Sequence, residues 1–177
     1  MLPSRPQGLP ISGFQLRPLR LGDVDAVLRI QAQCYGADFG EPRQVFVQRL
    51  QSPVHCSWAA VQADAVVAYL AAYWSLPGVI TPLHGGFSSY EDANVLYLHD
   101  MAVSPAVAGQ GVAGALLQAA RSQARQRGIH HTALVSVQGS QPYWERQGYT
   151  VAAVADAAQQ QHLASYGDDA VYMVGQV

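Results

Sequence analysis

The segment Gly109-Gln110-Gly111-Val112-Ala113-Gly114 is the part of the sequence whose residue types and spacing most directly indicate chemistry. It follows an apolar, strand-like segment and precedes a helical pattern. Glycines let a backbone approach phosphate oxygens closely, and the free N–H groups of a helix start point toward such an anion. The helix dipole adds a modest attraction. The segment therefore predicts a loop that binds a diphosphate group through its backbone.

The same residues match the G-x-G-x-x-G pattern of dinucleotide-binding proteins. That fingerprint places its first glycine at the end of a strand and an acidic residue about 20 positions later, where it holds a ribose. Here residues 104–108 separate the strand from Gly109, and no Asp or Glu occurs between Asp100 and Glu145. The G-x-x-x-x-G-K-[ST] nucleotide loop is also absent. These departures argue against a dinucleotide site.

The longer segment 98–117 resembles the core signature of the GNAT superfamily of N-acetyltransferases. That signature is a strand ending in Ala-Val-x-Pro, then Arg/Gln-x-x-Gly-x-Gly/Ala, then a helix with Leu-Leu. A second signature, aromatic-Tyr-x-x-x-Gly-Phe, is echoed by residues 143–149. The resemblance runs from about residue 14 to the last residue. It implies an α/β fold of the α+β type, with a mixed, splayed sheet of about seven strands flanked by about four helices, and acetyl-CoA as the cofactor.

The resemblance also implies a cofactor cleft between the strand at 95–103 and the strand at 132–137, where the pantetheine arm bonds to backbone. The implied cofactor-binding residues are Met101, Ala102, Val103, Ala108, Gly109, Gln110, Gly111, Val112, Ala113, Gly114, Ser140 and Trp144. Two of them depart from the family pattern. Ala108 replaces the usual Arg or Gln, which predicts weaker cofactor capture. Trp144 replaces the Tyr that protonates the leaving thiolate, and an indole cannot act as that acid.

His99 is the first candidate for a general base, because it lies on the central strand near the expected thioester and titrates near 6.5 when unperturbed. Its strand resembles that of the arylalkylamine N-acetyltransferases, Leu-His-Ala-Leu-Ala-Val, in which this histidine takes part in proton removal. A satisfied structural histidine is the alternative. Strand alternation predicts that Tyr97 and His99 share one face and that Asp100 faces the other. Asp100 is then either a second candidate base or a residue that fixes a neighbouring polar group.

Tyr143 is the nearest replacement for the missing acid. Neighbouring helix positions point about 100° apart, so the alternative is that Tyr143 packs while Trp144 lines the cofactor site. A mechanism without a dedicated acid is also open, because a thiolate is a fair leaving group.

The hydrophobic patterns predict elements for the rest of the chain. Strands are expected at 14–19, 56–61, 65–73, 95–103, 132–137, 149–154 and 170–174, and helices from Gly22-Asp23, after Glu41-Pro42, at 111–127 and at 141–147. Residues 1–13 are expected to be a loose leader and residues 14–177 one acetyltransferase domain. The long stretch 75–93 is a candidate substrate loop or a variable insertion. In it, His84, Glu91 and Asp92 either meet a cationic acceptor or are simply solvated, and Arg121, Arg125 and Arg127 are expected to form a solvated face.

Composition limits the remaining classes of function. Only 12% of the 177 residues are charged and the net charge is −2, which gives no reason to expect nucleic acid or an anionic membrane as a partner. No apolar run approaches the ~20 residues that span a bilayer. Cys34 and Cys56 lack metal or redox spacing and are expected to be buried free thiols of a cytoplasmic protein. The histidines show no metal pattern, so no metal site is expected. A monomer or a homodimer fits equally.

The sequence as a whole predicts an N-acetyltransferase that moves an acetyl group from acetyl-CoA to a primary amine, by direct attack in a ternary complex. The acceptor is expected to be a small-molecule or peptide amine. The alternative is a CoA-binding sensor or partner module that has lost catalysis, and the substitutions at Ala108 and Trp144 favour it.

Overall fold

A seven-stranded mixed sheet forms the centre of the computed structural model, which describes residues 13–36 and 39–177. The predicted leader, apart from Gly13, lies outside the described residues. The strands are β1 (Gln15–Pro18), β2 (Trp58–Gln62), β3 (Ala65–Ser75), β4 (Val95–Val103), β5 (His131–Ser136), β6 (Thr150–Val151) and β7 (Val171–Gln176). Their order is β1-β2-β3-β4-β5-β7-β6, and the β4–β5 pair is parallel while the others are antiparallel. The predicted mixed sheet of about seven strands is confirmed.

Helices cover both faces of this sheet. They are α1 (Val24–Tyr35), α2 (Arg43–Gln51), α3 (Val112–Gln126), α4 (Gln141–Arg146) and α5 (Ala157–Ala164). The sequence predicts the first four and misses α5, whose residues show no amphipathic periodicity and include none that is buried. Its start is instead fixed by Asp156, whose carboxylate accepts the Gln159 N–H at 3.0 Å. The last predicted strands also differ, since the segment expected at 149–154 pairs over two residues only.

The apolar residues of β4 alternate between two cores, as the prediction of a strand covered on both faces requires. Leu96 and Leu98 pack toward α3, while Val95 and Tyr97 pack on the opposite face. On the second face, α1 and α2 cover the first part of the sheet through residues such as Phe46. Both cores are therefore built on the strand that carries the candidate base.

The hairpin between β2 and β3 is closed by two residues in the left-handed region, Ala63 (φ 47°) and Asp64 (φ 63°). A two-residue turn with both φ angles positive matches the right-handed twist of the flanking strands. The predicted hairpin is confirmed, although it uses alanine where asparagine or glycine is common.

Helix α3 begins and ends at glycines, as the sequence predicts. Gly111 (φ 79°) lies immediately before its first residue, and Gly128 (φ 72°) follows its end. The Ile129 N–H donates to the Ala124 carbonyl at 2.9 Å, which satisfies one of the last free carbonyls of the helix. The helix is thus held in a fixed position directly after the glycine loop.

A β-bulge in β4 changes the direction of its side chains at the centre of the sheet. Leu98 pairs with Ala72 and Asp100 pairs with Ala71, so His99 is the extra residue. Because one residue is inserted, the alternation of faces shifts by one position after it. Asp100 therefore lies on the same side of the sheet as His99, toward α1, and the prediction that it faces the opposite side is wrong.

The sheet splays between β4 and β5. Their parallel pairing runs from Val95 with His131 to Leu98 with Leu134 and then stops, while β4 continues to Val103 and β5 to Ser136. The second half of β4 is therefore separated from β5, and the predicted cleft between these strands is confirmed. In the described ranges, no helix has the length and apolarity needed to cross a bilayer.

Candidate active site

Two adjoining cavities lie along the splay and are named here by their positions. The central cavity, about 290 Å³, is bounded by His99, Asp100 and Met101 on β4 and by Leu134 and Ser140 across the gap. The loop cavity lies against the glycine loop and Val103. Tyr143 lines both cavities. The glycine loop and the candidate base thus meet along one continuous groove.

The glycine loop leaves its cavity open because three of its residues lack side chains. Gly109 (φ 76°) and Gly111 (φ 79°) adopt left-handed conformations that glycine favours. A Cβ atom placed on Gly109, Gly111 or Gly114 would meet nothing within 4 Å, so each position faces open space. Because Gly111 precedes α3, the first free N–H groups of that helix lie at this opening. The geometry suits a diphosphate held by backbone groups.

Most of the residues assigned to cofactor binding line one of the two cavities. Met101, Ser140 and Trp144 line the central cavity, and Val103, Ala108, Gly109, Gly111, Val112, Ala113 and Gly114 line the loop cavity. Gln110 is exposed and lines neither cavity. Ala102 is buried in the core beside α1. The structure therefore brings together ten of the twelve assigned residues and excludes these two side chains from the cavity walls.

Tyr143 and Trp144 occupy different environments although they are neighbours on α4. Trp144 is 9% exposed and packs edge-on against Tyr149, with ring centroids 5.4 Å apart. Tyr143 is partly buried against the core and lies at the junction of the two cavities. Burial raises the pKa of its phenol, so the hydroxyl keeps its proton at neutral pH. Tyr143 therefore presents a hydroxyl where the groove turns from loop to base.

His99 is a buried histidine with one nitrogen engaged and one free. Its side chain is 2% exposed, and its Nε2 lies 3.3 Å from Oε2 of Glu41. The Nδ1 atom is buried and has no hydrogen-bond partner among the described residues. If Nε2–H donates to the carboxylate, Nδ1 keeps its lone pair. Burial and then the charge of Arg49 lower the pKa of His99 against the opposing effect of Glu41, so the ring is neutral at neutral pH.

Glu41 and Arg49 form a buried ion pair that sequence reasoning missed. Nη2 of Arg49 lies 2.6 Å from Oε1 of Glu41, and Nη1 contacts Oε2. The His84 backbone N–H also donates to Oε1 at 3.0 Å, and the Gly85 carbonyl accepts from Nε and Nη2 of Arg49 at 2.9 and 2.7 Å. Burial disfavours the ionised carboxylate, but hydrogen bonds from His99 and Arg49 outweigh it and hold the pKa of Glu41 well below its ordinary 4.5. The carboxylate is thus a fixed anion beside His99.

A signal for this pair exists in the sequence. On α2 the apolar residues Val45, Phe46 and Leu50 mark the buried face at helical spacing, and Arg49 lies within that stripe. An arginine on a buried face needs a counter-charge or a set of acceptors. The position of Arg49 therefore indicates a buried partner, although it does not identify Glu41.

Asp100 holds two tyrosines rather than standing free. Its carboxylate lies 2.8 Å from the Tyr35 hydroxyl and 2.5 Å from the Tyr69 hydroxyl. The Tyr35 hydroxyl is also 2.6 Å from the Met101 carbonyl. Burial raises the pKa of Asp100 in spite of these bonds. The contacts fit the interpretation of Asp100 as a residue that fixes neighbouring polar groups.

The long segment between β3 and β4 contributes different residues from those proposed. Glu91 and Asp92 are exposed and line neither cavity, and His84 contributes a backbone N–H rather than its ring. The segment instead contributes Leu83 to the central cavity, and its Phe87 ring lies 5.7 Å from that of His99. The segment therefore closes over the base with apolar side chains.

Two predictions about surface residues are wrong. Arg121 donates to the Gln147 carbonyl at 2.8 Å and lies over the Tyr149 ring, and Arg127 lies 4.8 Å over the Trp74 ring. These two arginines are fixed by contacts with the core, since a guanidinium packs well on aromatic faces, so they do not form a simple solvated face.

The two cysteines also differ from each other. Cys56 is a buried free thiol as predicted, but Cys34 is exposed. Cys34 lies near the end of α1, where the buried face has already turned away, and its thiol is 3.2 Å from the Val103 carbonyl. Among the described residues, no cluster of three or more His, Cys, Asp or Glu side chains is arranged to hold a metal ion.

The chain belongs to the acetyltransferase (GNAT) family, whose profile matches residues 24–149. Membership confirms the predicted superfamily and the class of cosubstrate, an acyl thioester of coenzyme A. The closer resemblance to arylalkylamine enzymes is not confirmed. No curated protein matches the chain.

Several solved structures share the fold at low sequence identity. The ribosomal-protein-S18-alanine N-acetyltransferase from Escherichia coli has a TM-score of 0.69 at 16% identity, over 93% of this chain and 94% of that one. The GphF GNAT-like decarboxylase in complex with isobutyryl-CoA has a TM-score of 0.70 at 19% identity, over 92% and 98%. The PaiA N-acetyltransferase from Thermoplasma acidophilum, in complex with coenzyme A, has a TM-score of 0.62 at 11% identity, over 93% and 99%. At these identities the likeness shows the fold alone.

Proposed function

We propose that the protein transfers an acyl group, acetyl in the first instance, from its coenzyme A thioester to a primary amine while both are bound. The single observation that carries this proposal is the free, buried Nδ1 atom of His99 in the cavity that continues from the glycine loop. In the reaction an N–C bond forms and the C–S bond breaks. The amine loses one proton, and the departing sulfur gains one.

The glycine loop and the splayed strand are the residues that would hold acetyl-CoA, which supplies the acyl group in activated form when bound. The open space at Gly109, Gly111 and Gly114 fits a diphosphate against backbone N–H groups. The separation of β4 from β5 after Leu98 leaves the second half of β4 accessible to an extended ligand arm. Since the loop binds through backbone, Ala108 in place of a side-chain donor still permits this mode.

His99 accepts the amine proton in this proposal. An alkyl amine has a pKa near 10.4 and is mostly protonated at pH 7, but its nitrogen becomes strongly acidic as it bonds to the acyl carbon. A neutral imidazole of lowered pKa is then a sufficient base. Glu41 acts as a positioning residue, because it holds Nε2–H and so leaves the lone pair on Nδ1. A carboxylate that fixes the tautomer of a catalytic histidine is the arrangement known from hydrolase triads.

Tyr143 is the residue that we propose to protonate the departing sulfur. It lies at the junction of the two cavities, where the thioester must pass between loop and base. Burial keeps the phenol protonated. Trp144 supplies an apolar wall to the same part of the central cavity.

The rival function is a coenzyme A-binding module without catalysis, and acceptor-dependent thiol release distinguishes the two. Acetyl-CoA is incubated with the protein and a panel of amines, polyamines, amino acids and short peptides, and free thiol is measured. The printed sequence contains no lysine, so its side chains offer no competing amine. We expect thiol release that depends on an amine and is lost in His99→Gln. Coenzyme A binding without thiol release from any acceptor would support the rival function.

A further inference from the structure

The central cavity has two ends that are built by different elements. Met101, Leu134 and Trp144, around the splay and α4, form the end that adjoins the glycine loop. The other end is formed by residues of three connections: Phe39 between α1 and α2, Leu83 between β3 and β4, and Tyr166 after α5. His99 and Asp100 lie between the two ends. If the loop end holds the thioester, as the proposed function requires, the opposite end receives the acceptor.

The acceptor end presents apolar surface even where its residues carry polar atoms. The Tyr166 hydroxyl donates to the Thr81 carbonyl at 2.6 Å, and the Tyr35 hydroxyl is engaged by Asp100 and the Met101 carbonyl. Phe39 and Leu83 add wholly apolar side chains that pack against the core. What an acceptor meets here is therefore ring faces and aliphatic carbon.

The acceptor end also lacks a cation that could receive a carboxylate. No arginine occurs among the described residues that line the cavity. The nearest guanidinium, that of Arg49, is 1% exposed and already makes four hydrogen bonds, two to Glu41 and two to the Gly85 carbonyl. Its charge is balanced by Glu41, and Asp100 is the remaining acidic group. An acceptor carboxylate would be buried beside acidic groups without a partner, which costs several kcal/mol.

The polar groups that do face the cavity suit an amine. Nδ1 of His99 is an unused acceptor, and the Asp100 carboxylate lies beside it on the bulge. The volume is limited, because about 290 Å³ must hold both the end of the thioester and the acceptor. Pockets for drug-sized ligands commonly measure ~300–1,000 Å³. Only a compact acceptor fits the part that remains.

We infer that the acceptor is a small primary amine with an apolar body and no carboxylate, seated between Phe39, Leu83 and Tyr166 with its nitrogen at His99. This inference rests on the proposed function. It deepens that function by excluding free amino acids and polyamines as good acceptors.

A matched series of acceptors tests the inference with the wild-type protein. We would measure kcat/KM with acetyl-CoA for 3-methylbutylamine, leucinamide and leucine, which share an aliphatic body, and for 2-phenylethylamine and spermidine. We expect 3-methylbutylamine or 2-phenylethylamine to exceed leucine by at least ~100-fold, which corresponds to an unpaired buried charge. Leucinamide should fall between them, because it keeps the bulk of leucine without its carboxylate.

A variant links this preference to the acceptor end. Phe39→Ala should lower kcat/KM for the apolar amines about tenfold or more while the Kd of coenzyme A stays unchanged, and Leu21→Ala, which alters an exposed leucine away from the cavity, should change neither. Equal or better use of leucine or spermidine would overturn the inference and leave the proposed function intact. Thiol release from no acceptor at all would instead overturn the proposed function itself.

Discussion

Nε2 of His99 and Oε2 of Glu41 lie 3.3 Å apart, on side chains that are only 2% and 3% exposed. This contact joins the bulge of β4 to the residue that precedes α2. It makes His99 part of a network with Arg49 and leaves one ring nitrogen free inside the cavity. The network gives a physical reason for a neutral, oriented imidazole at this position.

The first prediction concerns the free nitrogen of His99. His99→Gln removes the base, so kcat should fall by roughly 100-fold or more, while the Kd of coenzyme A stays within twofold. The loss should shrink as pH rises, because more of the amine is then already neutral. Steady-state rates between pH 6 and 9 check this. His130→Gln, which alters an exposed histidine, is the control, and unchanged rates in His99→Gln at every pH would remove His99 from the mechanism.

The ion pair between Glu41 and Arg49 predicts a strong coupling in stability. Glu41→Gln leaves the Arg49 charge buried without compensation, so it should lower the free energy of unfolding by about 3–5 kcal/mol. Arg49→Met should do the same for Glu41. The double variant should lose much less than the sum of the two, as measured by urea unfolding. Asp25→Asn, at an exposed ion pair, should barely move the urea midpoint; additive losses in the cycle would show that the pair does not act as a unit.

Stability should fall on acidification in two ranges of pH. The folded state lowers the pKa of His99 below its ordinary 6.5, so the unfolded chain binds that proton first and stability decreases as pH drops below about 6.5. Glu41 has its pKa lowered from 4.5, so its contribution is complete above that value and is lost as pH falls further. Melting temperatures from pH 8 to 3 check the sign. The decline below pH 6.5 should be weaker in His99→Gln, and an equal slope in both proteins would contradict the assignment.

Much of this architecture follows from local sequence, and the exceptions share one cause. Gly109, Gly111 and Gly128 mark the loop and the end of α3 because glycine is required at positive φ. The face of Asp100 could not be predicted, since an inserted residue in a strand depends on its partner strand. The approach of Glu41 to His99 also depends on long-range packing. Sequence periodicity predicts which face of an element is buried, but not which residues of distant elements meet there.

Tyr143 and Trp144 make a matched pair of substitutions. Tyr143→Phe removes the proposed acid but keeps the ring, so kcat should fall about tenfold or more with little change in KM for acetyl-CoA. Trp144→Phe reduces the packing against Tyr149 and should act mainly on stability and KM. Burst and steady-state kinetics with a rich acceptor separate these effects. Full activity in Tyr143→Phe would indicate that the thiolate leaves without a dedicated acid.

The glycine loop predicts a steric and electrostatic requirement at Gly111. Gly111→Glu places a side chain and a negative charge in the open space before α3, and its backbone (φ 79°) is unfavourable for any other residue. Coenzyme A binding, measured by calorimetry, should be lost. Gly22→Glu is the matched control, because Gly22 has ample space and no left-handed backbone. Retained binding in Gly111→Glu would place the diphosphate elsewhere.

The central claim is direct acyl transfer to a primary amine, and a product balance tests it most directly. The wild-type protein is mixed with acetyl-CoA carrying an isotope label in the acetyl group and with 2-phenylethylamine, and mass spectrometry follows the products. We predict equal amounts of labelled N-acetylated amine and free coenzyme A, with no mass added to the protein. Thiol release without acetylated amine, or tight binding with neither product from any acceptor in the panel, would contradict the claim.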